Sequence, residues 1–291
     1  MTQKIPTRSL ICAATILALT ASSFAGTASK EMKSVIEKTK ESCITGDIGV
    51  NVVTAYFSRG ILQENQGLIA QPYLDLYFKL YEGDGFINKV SLILGIWSSI
   101  HSNNTGALPG STTKSWYEFD YTPGIAITFA KKFTFTASYF AFTYPNDAFG
   151  FDPQLSINGR LDYDDSEALG AFALHPHLTA LYNFDNAAGL GTDDAWYFEF
   201  GVAPGFKAGP VTFSIPLTVG LGDDHFYPGD SYGYFSAGIN AAVPLSFVPE
   251  CFGTWTFNAG FTYYNLGSST KAANNGEGNA YVGQTGLMVA F

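Results

Sequence analysis

Residues 117–129 read Tyr-Glu-Phe-Asp-Tyr-Thr-Pro-Gly-Ile-Ala-Ile-Thr-Phe. Glu118, Asp120, Thr122 and Thr128 alternate with Tyr117, Phe119, Tyr121, Ile125, Ile127 and Phe129. In an extended chain, successive side chains point to opposite faces, so this stretch has one polar and one greasy side. The same period of two recurs at 71–80, where Gln71, Asp75 and Lys79 alternate with Leu74, Leu76, Phe78 and Leu80. It recurs again where Thr212, Ser214 and Thr218 alternate with Val211, Phe213, Ile215, Leu217, Val219 and Leu221. Such segments, separated by turn signals, run from Ile44 to the end of the chain.

Composition agrees with a strand-rich chain. The 291 residues are 46% hydrophobic and 16% aromatic but only 14% charged, and include 25 Phe and 17 Tyr. Soluble domains carry about 25% charged residues. Aromatic side chains pack well on a pleated surface. A mean hydropathy of +0.09 argues against a bundle of membrane helices. Disorder, coiled coil, collagen and a small disulfide scaffold are excluded on composition. The net charge of -10 repels phosphate, so no nucleic-acid partner is expected.

At the amino terminus, Lys4 and Arg8 precede an apolar stretch from Leu10 to Leu19, and Ser23-Phe24-Ala25 offers small residues for cleavage. This order predicts a secretory signal peptide over residues 1–25, too short in its apolar part to span a bilayer. Cleavage after Ala25 leaves 13 basic and 25 acidic residues, a net charge of -12. No later apolar run reaches the ~20 residues of a spanning helix, so membrane residence requires a closed barrel. Residues 26–45 mix Lys and Glu with Met32, Val35 and Ile36, which suits a short periplasmic helix or a disordered segment.

A soluble sandwich and a membrane barrel both produce period-two strands. Two features favour the barrel. Short connections near 82–85, 131–132, 175–176, 207–210 and 247–251 alternate with long ones near 58–67, 102–114, 145–162, 186–194, 222–231 and 267–278. The polar faces are also rich in Thr, Ser, Gly and Tyr, as a lumen is. The expected fold is all-β: a transmembrane antiparallel up-and-down β-barrel spanning 46–291, with twelve strands and both termini periplasmic. The count falls to ten if the segments at 163–174 and 177–185 are not strands. Phe291 ends a strand with Tyr281, Thr285, Leu287 and Val289 on the same face, which resembles the signal read by the outer-membrane assembly machinery.

Tyr56-Phe57-Ser58-Arg59-Gly60-Ile61, then Gly95-Ile96-Trp97-Ser98-Ser99, then Trp116-Tyr117-Glu118-Phe119-Asp120-Tyr121 resemble, in that order, segments of the TorF-type porins of Gram-negative outer membranes. The resemblance covers residues 45–145 and implies a barrel with a porin role, without carrying over a substrate. Leu94 and the acidic stretch at 162–167 depart from that pattern.

With the polar faces inward, the pore is expected to be lined by Arg59, Asp75, Lys79, Glu118, Asp120, Asp185 and Glu199, with acids in the majority. Charged rings select by sign, so small cationic or neutral solutes are favoured. A non-conducting structural or adhesive barrel is the rival reading. Arg59 is placed to meet Glu118 or Asp120. Asp162, Asp164, Asp165 and Glu167 are read as an outer-loop cluster, weak candidates for Ca²⁺ because the order of an EF-hand loop is missing. Acidic outer loops also suit divalent ions bridging lipopolysaccharide. Cys43 and Cys251 are expected at one rim, either bonded to each other or as idle thiols. Tyr56, Tyr117, Tyr144, Trp196, Tyr232, Trp255 and Tyr281 are expected near the membrane interfaces, and Trp97 and Trp116 in the lumen. The expected partners are the lipid bilayer, lipopolysaccharide, the assembly machinery and small solutes. No enzyme motif is recognised and no cofactor is expected.

Overall fold

The computed structural model describes residues 42–102, 115–146, 153–187 and 189–291. The expected signal peptide and nearly all of the expected helix at 26–45 lie outside the described residues. The strands are β1 (Ile44–Val53), β2 (Tyr56–Ser58), β3 (Ile61–Glu64), β4 (Ile69–Glu82), β5 (Ile87–His101), β6 (Trp116–Phe129), β7 (Phe133–Thr143) and β8 (Gln154–Tyr163). They continue as β9 (His177–Asp185), β10 (Ala195–Val202), β11 (Gly205–Ala208), β12 (Val211–Ser214), β13 (Leu217–Gly222), β14 (Tyr232–Pro244), β15 (Thr254–Leu266) and β16 (Asn279–Ala290).

All except β2 and β3 belong to one 14-stranded antiparallel sheet. β1 pairs with both β4 and β16, and β14 pairs with β15, so the sheet closes on itself. Pro204 separates β10 from β11, and Pro216 separates β12 from β13. Proline has no N–H to give a ladder, and here each one divides a single stave in two. The 14 strands therefore make a closed barrel of 12 staves. The seam is sealed where Gly46 and Phe291 exchange N–H···O bonds of 2.9 Å in both directions.

Register confirms the two faces. Asp47 stands opposite Asp75, Trp97 opposite Asp120, and Arg160 opposite Thr179, all on the inner wall. Ile48, Ile96, Ile125, Ile157, Phe200, Ile239, Phe261 and Leu287 all point outward and are exposed. Apolar surface this continuous is far beyond what a soluble monomer shows, so its solvent is hydrocarbon.

The sixth strand, expected at 163–174, lies earlier in the chain. Residues 154–162 were expected in a long loop; they form β8, with Ser156, Asn158, Arg160 and Asp162 buried and Leu155, Ile157 and Leu161 turned out. Asn158-Gly159 imitates a hairpin turn but lies mid-strand, so the period of two was there beneath a turn signal. The chain then crosses the chain-end rim through a one-turn helix α1 (Ser166–Leu169) and a 3₁₀ turn at Gly170–Phe172. The acidic stretch therefore sits at the rim opposite the long loops.

Candidate functional site

The loop-rim half of the lumen holds an element that the wall does not supply. β2 and β3 form a separate hairpin joined by the two-residue turn Arg59-Gly60, with φ of 49° and 77°. Both values belong to the left-handed region, as a type I′ turn requires. The hairpin turns into the barrel instead of out into solvent. Tyr56 donates its hydroxyl to Glu118 Oε2 at 2.8 Å, Tyr117 donates to Gln63 Oε1 at 2.7 Å, and Tyr227 donates to the Arg59 carbonyl at 2.6 Å. Phe57 stacks on Tyr264 at 5.1 Å and Tyr56 tilts against Trp97 at 5.3 Å. Phe226 and Tyr227, from the connection after β13, fill the remaining space and are fully buried. The result is an aromatic plug inside a polar tube.

Arg59 is the charged member of that plug. Its guanidinium lies over the rings of Phe142, at 5.1 Å, and Tyr197, at 5.5 Å, and it interacts electrostatically with Glu118. Sequence reasoning expected its forked donors on Glu118 or Asp120. Glu118 instead accepts a hydrogen bond from Tyr56, and the arginine faces the rings.

Beneath the plug, Glu199 is the hub of a second network. It accepts from Tyr197 at 2.7 Å and from Tyr234 at 3.1 Å, and meets His177 Nε2 at 3.2 Å. The two tyrosine hydroxyls are 3.0 Å apart. One level nearer the chain-end rim, Arg160 pairs with Asp162 through Nε and an NH₂ group, both at 2.9 Å. A carboxylate buried this deeply is tolerated because several donors converge on it.

A third cluster was not foreseen. Ser99 Oγ lies 2.8 Å from His101 Nε2, and His101 Nδ1 lies 3.7 Å from Glu64 Oε2. The order imitates a serine–histidine–carboxylate relay, yet 3.7 Å is too long for the second hydrogen bond. All three residues are buried, and His101 stacks on Tyr117 at 4.6 Å. Glu64 Oε1 accepts the N–H groups of Asn65 and Gln66, which fixes the end of the hairpin.

No family model matches this chain, and no curated protein matches it. Among solved structures, an outer membrane channel from Pseudomonas putida F1 aligns over 88% of this chain and 97% of its own, with a TM-score of 0.51 at 9% identity. Outer membrane phospholipase A from Escherichia coli covers 84% and 92%, with a TM-score of 0.43 at 13% identity. A porin covers 85% and 99%, with a TM-score of 0.32 at 12% identity. The fold is that of an outer-membrane β-barrel.

Within this outer-membrane barrel, Asp75, Glu118, Asp120 and Glu199 are buried on the inner face. Lys79 is also on that face but stands at the chain-end rim, bonded to Glu82 at 2.8 Å. Asp185 ends β9 at the loop rim and is exposed. Of the proposed calcium ligands, Asp162 belongs to the lumen pair with Arg160. Asp164 accepts the Ser166 N–H, and Glu167 pairs with Lys132 at 2.9 Å. Asp164, Asp165 and His175 do converge, with ligand atoms within 4.8 Å of one another. The Asp165 carboxylate already accepts the N–H groups of Leu174 and His175. Burial works against its charge, but these backbone donors prevail and hold its pKa below the usual range. The cluster closes a turn.

Trp196, Tyr232, Trp255 and Tyr281 keep to the exposed or half-exposed outside, as a girdle does. Tyr56 and Tyr117 do not; both are buried in the plug, and Tyr144 packs against the same cluster. Trp97 faces the lumen, but Trp116 faces out. The cause is a bulge: Ser99 pairs with Glu118 while Ile100 pairs with Trp116, leaving Tyr117 as the extra residue that turns inward. Cys43 and Cys251 share the chain-end rim but are unbonded and exposed. β16 runs between their strands, and two strand spacings of about 4.8 Å exceed the ~7 Å that a disulfide spans.

Proposed function

We propose that this outer-membrane barrel is a narrow diffusion channel for small hydrophilic solutes, favouring cationic and neutral ones. The observation that carries this reading is the inner wall beneath the plug. Ser91, Thr136, Ser138, Asn158, Thr179, Thr256 and Thr262 are buried there with side-chain polar atoms that have no protein partner among the described residues. Hydroxyl and amide groups ranged on the inner face of a closed barrel are the lining expected of a solute path across a bilayer. Its sign follows from Glu64, Asp75, Glu118, Asp120, Asp162 and Glu199, which are buried against only Arg59 and Arg160 as buried guanidinium groups among the described residues. The segments similar to TorF-type porins support the same role, with both termini on the periplasmic side and Phe291 read by the assembly machinery.

The aromatic plug favours the second reading, a non-conducting barrel that acts through its loops. Planar-bilayer recording in a KCl gradient separates the two. Discrete steps with a cation-signed reversal potential are expected, growing when residues 56–64 are replaced by a short Gly-Ser linker. A silent barrel, even after that replacement, would establish the structural role; anion preference would overturn the charge assignment.

A further inference from the structure

Arg59 stands where a two-residue hairpin turn ordinarily carries asparagine, aspartate or glycine. Its φ of 49° is strained for a long side chain, and the next residue, Gly60, already supplies the freedom the turn needs most. Turn geometry therefore does not explain the arginine. Its surroundings do. The guanidinium lies over Phe142 and Tyr197, within electrostatic reach of Glu118, and the side chain is buried. Two aromatic faces on one guanidinium, in the field of a nearby carboxylate, form a cage for a flat or compact organic cation. The Tyr227 hydroxyl on the Arg59 carbonyl and the Tyr56 hydroxyl on Glu118 fix the hairpin tip and that carboxylate relative to each other.

We propose that the rings of Phe142 and Tyr197 form a binding site for guanidinium or alkylammonium solutes, and that Arg59 is its built-in occupant. The cations that this lumen favours are then organic ones, which compete with the arginine for the same rings. The inference deepens the channel reading by naming a solute class, but the site itself is testable without any current.

The test uses the full barrel refolded in detergent micelles, titrated calorimetrically with methylguanidinium and, as a neutral isostere, methylurea. Arg59→Ala empties the cage and is expected to bind methylguanidinium at least about tenfold more tightly than the parent chain does, as a desolvated cation–π contact implies. Arg59→Lys keeps an occupant and should bind no better than the parent. Arg59→Ala combined with Phe142→Leu should lose the gain, and methylurea should bind none of them. Equal binding of the two probes, equal binding to parent and Arg59→Ala, or no binding to a folded Arg59→Ala would each overturn the site. If Arg59→Ala does not refold alone, recovery of its heat-modifiable gel band by methylguanidinium and not by methylurea supports the cage. Recovery by neither, or by both alike, overturns it. A barrel that conducts nothing yet passes these tests would sink the channel and leave the site standing.

Discussion

Tyr234 occupies the space that a side chain on Gly60 would need: a Cβ there would fall 2.8 Å from Cδ1 of the ring. A Cβ on Gly220, the cross-strand partner of Tyr234, would fall 2.2 Å from Cε1 of the same ring. Tyr234 is thus held between the hairpin and the wall. Gly60→Ala meets both the ring and a φ of 77°, which strains any side chain. It should cost about 1–3 kcal/mol. Urea titration read by the heat-modifiable gel shift checks this, with Ser58→Ala as the control expected near parent stability.

The Tyr56–Glu118 bond is one of the polar fastenings of the plug. Tyr56→Phe removes the donor at 2.8 Å and leaves a buried carboxylate one partner short. Hydrogen bonds to charged groups contribute about 1.5–3 kcal/mol. A double-mutant cycle with Glu118→Gln should show coupling of that order. Trp97 fluorescence should shift in Tyr56→Phe, because its indole lies 5.3 Å from that ring.

Arg160 and Asp162 test whether the lumen charges are structural. Removing one member of a buried pair strands the other, at a cost of about 3–5 kcal/mol. Asp162→Ala should therefore destabilise the barrel far more than the joint replacement Arg160→Met with Asp162→Leu. Parallel urea titrations of the two variants decide the point.

Asp230 ties two long loops together. Its carboxylate accepts the N–H of Ser268 at 2.8 Å and of Tyr232 at 3.0 Å, and these bonds lower its pKa. A lowered value means that the charged form is the one bound in the fold. Its contribution is complete above the unfolded value of about 3.9 and is lost as pH falls through the lower folded value. Amide exchange at Ser268 should accelerate in that acid window, and Asp230→Asn should remove the pH dependence while leaving exchange fast throughout.

Most of the wall was legible because two solvents impose it. Lipid outside and water inside force a period of two on every stave, so Glu118, Asp120 and Thr122 declare their face without help from the rest of the chain. The contents of the tube were not legible. Tyr56-Phe57-Ser58-Arg59-Gly60-Ile61 reads as an ordinary loop with a turn. Its inward path is decided by the rings of Phe142, Tyr197, Tyr234 and Tyr264, which lie on strands far along the sequence. Tyr117 was misplaced for a local reason, since a single bulge residue reverses the parity on which the reading depends. β8 was hidden because Asn158-Gly159 is the strongest short hairpin signal a sequence can carry, and nothing local says that it is overruled.

The plug is written immediately after the first strand, while its socket is spread from Trp97 and Glu118 to Tyr234 and Tyr264 near the end of the polypeptide. An emerging chain therefore carries Tyr56, Phe57 and Arg59 with only part of their lodging in place until the last strands arrive. Filling the cylinder is complete only when those strands have joined it. A lesion in the hairpin should accordingly surface as a biogenesis defect before it surfaces as a permeability one.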